Sequence, residues 1–224
     1  MPAAARTTTT AHVDSPSSPD DAGRRRILVV IGHPIADSLN HALASAYADA
    51  VRASGAEVRI HDLAAIRLPH PDSREQLRAW NGDTSPLDPA VRPLIDDLLW
   101  SEHLVVFFPQ WWGTYPAILK AYLDLVFLSG VAFRYKKGQI PHRMLTGRTA
   151  RIVMTADGPG WWNRSRYRNA AETSLMRATF EYCGMRVRGA TRFMKVRFST
   201  PEQRAGWLRR SAALGTADAA SRRR

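Results

Sequence analysis

A chain of 224 residues and 25.0 kDa with a 45% hydrophobic fraction can bury one core of ordinary size and hardly two. Its single cysteine, Cys183, excludes an internal disulfide framework and any CxxC-type zinc or iron–sulfur site, and suits a reducing compartment. Basic residues outnumber acidic ones by 32 to 20, a formal +12 that invites an anionic partner, while the most apolar stretch, Leu104 to Leu128, is broken by Gln110, Lys120 and Asp124 and offers no membrane insertion.

Residues 1–25, with the run Thr7 to Thr10 and the cluster Ser15 to Pro19, lack the apolar surface to offset ordering entropy and read as a disordered leader. Arg24–Arg26 precede a short strand pattern and not the longer apolar stretch of a secretory signal, so a cytoplasmic location is expected. Ile27 to Ile31, closed by Gly32, is an uninterrupted apolar run, the pattern of a strand buried on both faces. Leu39, Leu43, Tyr47 and Val51 share one face of a helix predicted over 38–54 and stopped before Gly55. Val58 to Leu63 alternates as an edge strand, residues 64–87 form a long proline-rich connection, and Asp88 can cap a helix that runs through Trp100.

Leu104 to Phe108 repeats the buried-strand pattern, and Pro116 opens a helix whose Ile118, Leu119, Tyr122 and Val126 share a face. Residues 129–148 hold too much glycine, lysine and proline for regular structure. A third buried strand follows at Ile152 to Met154, then a helix over 169–182 ended by Gly184, a weak strand over 186–196, a helix over 201–214 and a polar tail, 215–224. Five strands interleaved with helices predict an α/β domain over residues 26–214, an open five-stranded parallel sheet with helices on both faces.

Ligands of such sheets sit beyond the carboxyl ends of the strands, where strand order reverses, which brings three loops forward. The first, Gly32-His33-Pro34-Ile35-Ala36-Asp37-Ser38-Leu39-Asn40, delivers Ser38 to a helix amino end, where free amides, the helix dipole and a hydroxyl make a phosphate cradle. Ser38 as a plain N-cap and His33 as a plain loop residue explain the same letters equally well. Neither a Gly-x-Gly-x-x-Gly fingerprint nor a P-loop follows the strand. The second loop, Pro109-Gln110-Trp111-Trp112-Gly113-Thr114-Tyr115-Pro116, offers ring area beside backbone amides and suits a planar heteroaromatic ligand. Taken alone, its tryptophans would equally well cover the sheet end or form a dimer contact. The third, Thr155-Ala156-Asp157-Gly158-Pro159-Gly160 followed by Trp161 and Trp162, falls on the same edge. Cradle, aromatic platform and glycine-rich wall together describe a flavin pocket. No Gly-x-Ser-x-Gly elbow and no close histidine pair occur, so neither a hydrolase nor a metal site is read. Cys183 reads as a small buried hydrophobe, and Trp80, Trp100 and Trp207 as packing residues.

Gly32-His33-Pro34 with Ser38-Leu39-Asn40, Phe108-Pro109-Gln110-Trp111-Trp112-Gly113, Pro116-Ala117-Ile118-Leu119-Lys120 with Asp124, Gly130-Val131-Ala132-Phe133-Arg134-Tyr135, and Glu181-Tyr182-Cys183-Gly184-Met185 occur in this order across residues 27–214. The chain thereby resembles the flavodoxin-like NAD(P)H:quinone oxidoreductase family. The resemblance implies a flavodoxin-like three-layer sandwich and two-electron hydride transfer from NAD(P)H through a bound flavin, FMN first and FAD second, to a quinone-like acceptor. It implies that His33, Ser38, Leu39 and Asn40 hold the flavin phosphate. Pro109, Gln110, Trp111, Trp112 and Gly113 would line the isoalloxazine, and Thr155, Asp157 and Gly158 would close its pyrimidine side. Phe133 and Tyr135, reaching over from the second subunit of a homodimer, line the substrate face with Trp161 and Trp162. The chain departs from the family at Asp157, where certain members have glycine, and near Asn163, where they have tyrosine; with no histidine after His142, their proton relay does not transfer and no catalytic side chain is assigned.

Residues 1–133 carry a net −4 and residues 134–224 a net +16, so the positive charge lies in the half that supplies the third wall, the substrate-covering loop and the last two helices. There it would favour the extra phosphate of NADPH. Nucleic-acid binding has charge alone in its support, with no matching motif. A flavin-binding electron carrier or regulatory subunit docking on an acidic partner is the alternative reading.

Overall fold

The apolar runs at the centre of the sequence form the centre of a sheet. The computed structural model describes residues 23–135 and 141–221; the expected leader as far as residue 22 and the end of the expected tail, 222–224, lie outside the described residues. Strands β1 (Arg26–Ile31), β3 (His103–Pro109) and β6 (Thr149–Ala156) are flanked by β2 (Glu57–Asp62) and β7 (Arg186–Met194) in the order β2-β1-β3-β6-β7. All four pairings are parallel. Helices α1 (Leu39–Ala53) and α6 (Pro201–Ala219) cover one face. The other carries α2 (Arg92–Trp100), α3 (Ala117–Val126) and a helix that starts as α5 (Ala170–Thr173) and continues as a π-helix over Ser174–Glu181.

Side chains of a strand alternate between faces, and both faces here are apolar. Leu28, Val30, Leu104, Val106, Ile152 and Met154 pack with Leu94, Leu119, Tyr122 and Phe180 on one side. Ile27, Val29, Val105, Phe107 and Val153 pack with Leu43, Tyr47, Val51 and Trp207 on the other. The chain leaves β1 for the edge strand β2, then crosses back to β3 on the opposite flank, so strand order reverses between β1 and β3. The two exits are tied together there by Gly32 N, which donates to Phe107 O at 2.7 Å.

Several local expectations change. Helix α2 starts at Arg92, with Pro93 in its first turn; Asp88 instead closes the preceding turn, its Oδ1 accepting from Ala90 N at 2.8 Å. Within the supposedly irregular stretch, β4 (Phe133–Arg134) and β5 (His142–Arg143) pair antiparallel. A short helix, α4 (Gly160–Ser165), follows the third loop. Trp80 is 73% exposed and not packed, whereas Trp207 lies 5.4 Å from Phe193 and the Arg59 guanidinium stands 4.2 Å over Trp100.

The carboxyl end departs most from expectation. Residues 215–219 continue α6 and are not a polar tail. Gly215 approaches α1 so closely that a Cβ there would stand 2.4 Å from Tyr47 O, and Ser211 Oγ donates to Leu43 O at 2.7 Å. Asp218 is buried and accepts from Tyr47 Oη at 2.9 Å. Beyond Leu214 this helix packs through small and polar residues, which leave no apolar period to read. At the other end, Arg25 of the expected leader donates to Thr149 Oγ1 at 3.0 Å and to Ser221 O.

Candidate functional site

The loops leaving β1, β3 and β6 converge on one edge of the sheet. Ser38 is the N-cap residue of α1 but its side chain caps nothing; its Oγ lies 2.7 Å from Nδ1 of His41, and the first helical turn contains no acid. The amides of that turn have no partner within the helix. His41 is held in turn by Asp62, Nε2 to Oδ1 at 3.0 Å. His33 Nδ1 accepts from Ile35 N at 3.0 Å, and its ring meets those of Trp111 and His41 edge-on at 5.6 and 6.1 Å. Burial lowers its pKa, with the nearby His41 acting in the same direction and the Ile35 and Asp62 contacts against it. A neutral His33 leaves the backbone amides as the donors of this cradle, with Ser38 Oγ beside them and engaged with His41.

Leu39 begins α1 and turns its side chain into the core. Asn40 is buried, and its Nδ2 donates to Thr155 Oγ1 at 3.0 Å. Thr155 O accepts from Gln110 N at 2.7 Å. The cradle, the exit of β3 and the exit of β6 are thus joined by Asn40 and Thr155, whose side chains act as internal braces and not as surface donors.

After Pro109, the chain makes a tight turn in which Trp111 N and Thr114 N bond reciprocally to each other's carbonyls at 2.9 Å. Trp112 and Gly113 sit at φ 51° and 76°, and the left-handed conformation at a tryptophan leaves its side chain fully exposed. Beside it opens a cleft of about 320 Å³ lined by Gln110, Trp112, Gly113, Asp157, Gly158 and Trp162, among others. The Arg166 guanidinium stands 5.6 Å over the ring of Trp162, which lines the cleft. Trp161 meets Trp162 edge-on at 5.5 Å and is itself 65% exposed.

Three expected contributors are turned elsewhere. The Asp157 carboxylate accepts from Arg197 N at 2.9 Å and pairs loosely with its guanidinium at 3.8 Å, so it engages the loop after β7, although the residue is among those lining the cleft. Phe133 and Tyr135 lie in a separate groove beside α3 and the π-helix, with Tyr182 5.2 Å from Phe133; among the described residues none lines both the groove and the cleft. A single chain does not bring them to the flavin-type site.

Sequence reading missed Asn163, Glu172, Tyr167 and Met194. Tyr167 and Met194 line the cleft. Asn163 Oδ1 accepts from Gln110 Nε2 at 2.6 Å, while its Nδ2 donates to Glu172 Oε1 at 3.0 Å and to Asn169 Oδ1 at 3.2 Å. Glu172 is fully buried and paired with Arg192. A glutamate among alanines at the start of a helix reads as a surface residue, and only tertiary structure shows its burial. Among the described residues no group of histidine, cysteine, aspartate or glutamate is suited to a metal ion, and no helix is long and apolar enough to cross a membrane.

Comparison with known proteins agrees with this arrangement. The chain is 26% identical over 161 residues to a ribosyldihydronicotinamide dehydrogenase-like protein of Penicillium crustosum, covering 59% of this chain and 58% of that one. It is 35% identical over 109 residues to an FMN-dependent NADH:quinone oxidoreductase of Pseudomonas putida, 46% and 53% of the two chains. The chain therefore spans little more than half the length of these curated relatives. The solved NAD(P)H:quinone oxidoreductase of Methanothermobacter marburgensis superposes with a TM-score of 0.70 at 17% identity, over 87% of this chain and 98% of that one. The model of a family described by its flavodoxin-like fold matches residues 25–213, and with the strand order and switch-point site described above, the chain belongs to that family.

Proposed function

We propose that this protein is a flavin-dependent NAD(P)H oxidoreductase that passes two electrons to a quinone-like acceptor, with FMN as its cofactor. The observation that carries this reading is the convergence, on one edge of the sheet, of the open helix amino end after β1 and the aromatic-walled cleft formed by the loops after β3 and β6. The donor set fits a phosphorylated flavin: the amides opening α1 meet no acid in the first turn, with Ser38 Oγ beside them, and the cleft is lined by Trp112, Asp157 and Gly158. Bound there, the flavin would supply two-electron exchange between a nicotinamide and an acceptor.

The chain's own part is binding, orientation and electrostatics. His33, Ser38, Leu39 and Asn40 would frame the phosphate, the first through its loop and the last two through backbone amides. Pro109, Gln110, Trp111, Trp112 and Gly113 would wall the ring system and exclude water. Thr155, Asp157 and Gly158 would close the pyrimidine side, where backbone amides meet negative charge. Phe133 and Tyr135 would complete the substrate face, with Trp161 and Trp162, from the second chain of a homodimer. The basic half, with Arg166 over the cleft-lining Trp162, favours NADPH over NADH. A reducing, cytoplasmic setting belongs to the same proposal and rests on the single buried cysteine.

Apoprotein incubated with FMN should turn yellow, be bleached anaerobically by NADPH and recover its colour with 1,4-benzoquinone. A protein that stays colourless after incubation with FMN and FAD would overturn the reading. Turnover without any partner protein separates it from the electron-carrier alternative.

A further inference from the structure

A chain of side chains runs from the cleft wall into the protein, and its chemistry has a direction. Arg192 can only donate, so Glu172 Oε1, to which its Nε is bonded, accepts. The same oxygen lies 3.0 Å from the Asn163 side-chain amide, which must therefore present its NH2. Asn163 is 1% exposed and its Oδ1, now facing the other way, must accept from Gln110, 2.6 Å away. Gln110 commits one N–H of its amide to that bond, which fixes which way round the amide sits and keeps its carbonyl oxygen available to the cleft that the residue lines. The order follows from donors and acceptors alone and does not depend on how any one amide is drawn. The second carboxylate oxygen, Glu172 Oε2, is buried without a partner, so Arg192 and Asn163 alone orient the group.

We propose that Glu172 is a positioning residue that fixes Gln110, through Asn163, as a hydrogen-bond acceptor in the cleft, and that the cleft thereby selects a ring whose edge carries an N–H. The pyrimidine imide of a flavin is such an edge. The inference rests on the flavin reading above and names what discriminates within that site. A free glutamine side chain would turn its amide over to suit either partner; this one is held in one orientation, with its carbonyl oxygen away from Asn163, by a carboxylate two residues removed along the hydrogen-bond chain.

The test compares binding of FMN and N3-methyl-FMN to the apoprotein by flavin fluorescence quenching. The ratio of the two affinities is read, since it is insensitive to a general loss of stability. Wild type should prefer FMN by about tenfold. Glu172→Gln keeps an acceptor oxygen toward Arg192 and Asn163 and should retain the preference. Glu172→Met removes the acceptor, frees both amides to turn over, and should bring the ratio close to one. Adding Asn163→Asp to Glu172→Met restores an obligate acceptor beside Gln110 and should recover most of the preference. A ratio near one in wild type, an unchanged ratio in Glu172→Met, or no recovery in the double variant would overturn the proposal. Should Glu172→Met fail to fold, Gln110→Leu on the cleft wall must collapse the ratio, and a retained preference there overturns it equally. Failure of wild type to bind FMN at all would instead sink the flavin reading.

Discussion

Arg151 in β6 grips Asp218 in the last turn of α6 through two hydrogen bonds, Nε to Oδ2 at 2.6 Å and Nη2 to Oδ1 at 2.8 Å. Tyr47 Oη adds a third at 2.9 Å, and Nε2 of the fully buried His103 lies 3.1 Å away. This one carboxylate therefore ties α6 to the sheet and to α1. Removing one partner of such a buried group leaves the others unpaired, so Asp218→Ala should lower stability by about 3 kcal/mol, measured as a drop in the urea midpoint at unchanged slope. Burial pushes the Asp218 carboxyl up, but the bonds and charges of His103 and Arg151 outweigh it and hold it well below the usual range. Burial lowers the His103 pKa as well, against the pull of Asp218. Both groups take up protons more readily unfolded than folded, so the stability they contribute is full above the unfolded values and lost as pH falls: from about 6.5 for His103 and from about 4 for Asp218. The urea midpoint should fall between pH 8 and pH 5, and His103→Gln should flatten that part of the profile.

Gly130 lies at φ 97°, against the backbone of Ala79, where a Cβ would stand 1.6 Å from Ala79 O. Ala79 N donates to Ser129 O at 3.0 Å, so the two segments cannot part without losing that bond. Gly130→Ala combines a backbone clash with an unfavourable φ and should cost about 3 kcal/mol. Gly55 also has a positive φ, 78°, but nothing lies within 4 Å of its Cβ position. Gly55→Ala should cost only about 1 kcal/mol. Thermal unfolding of the two variants side by side separates the clash from the backbone conformation.

Burial pushes the Cys183 thiol up to about 12, and the residue is 2% exposed. The thiolate is the reactive form, so the native protein should leave a disulfide reagent unreacted over minutes at pH 8 and release one thiol equivalent once unfolded in guanidinium. Rapid reaction of the folded protein would contradict the packing at the end of the π-helix.

Continuous apolar runs such as Ile27 to Ile31 made the sheet legible, because a strand buried on both faces leaves no other pattern. The site was legible as position: a loop after a central strand of such a sheet must lie at its carboxyl edge. What side chains do there was not. Asp157 sits in the expected loop, yet its carboxylate is drawn to Arg197, which is distant in sequence and reaches it only because β7 is the neighbour of β6. Asn40 sits in the expected cradle, yet its side chain points inward to Thr155. The end of α6 beyond Leu214 escaped notice because Gly215 packs by closeness and Asp218 by hydrogen bonding, which leave no hydrophobic period. Phe133 and Tyr135 stand away from the cleft, and any role there needs a second chain, which no reading of one chain's pattern supplies.

Ser38 offered two readings, phosphate ligand and N-cap, and one substitution separates them. Its Oγ caps no backbone amide of α1 and is engaged with His41 at 2.7 Å. Aspartate is among the best N-cap residues and its charge suits a helix amino end, so Ser38→Asp should leave the protein as stable as before or firmer by a few tenths of a kcal/mol. The same charge would stand among the donors proposed for the flavin phosphate. Like charges at hydrogen-bond range disfavour each other strongly, and FMN should bind at least about tenfold more weakly. Riboflavin, which has the ring but not the phosphate, should bind the variant and the wild type alike. Measured by fluorescence quenching, a loss confined to FMN identifies the loop after β1 as the phosphate cradle. Equal binding of FMN by both proteins would return Ser38 to a purely structural part.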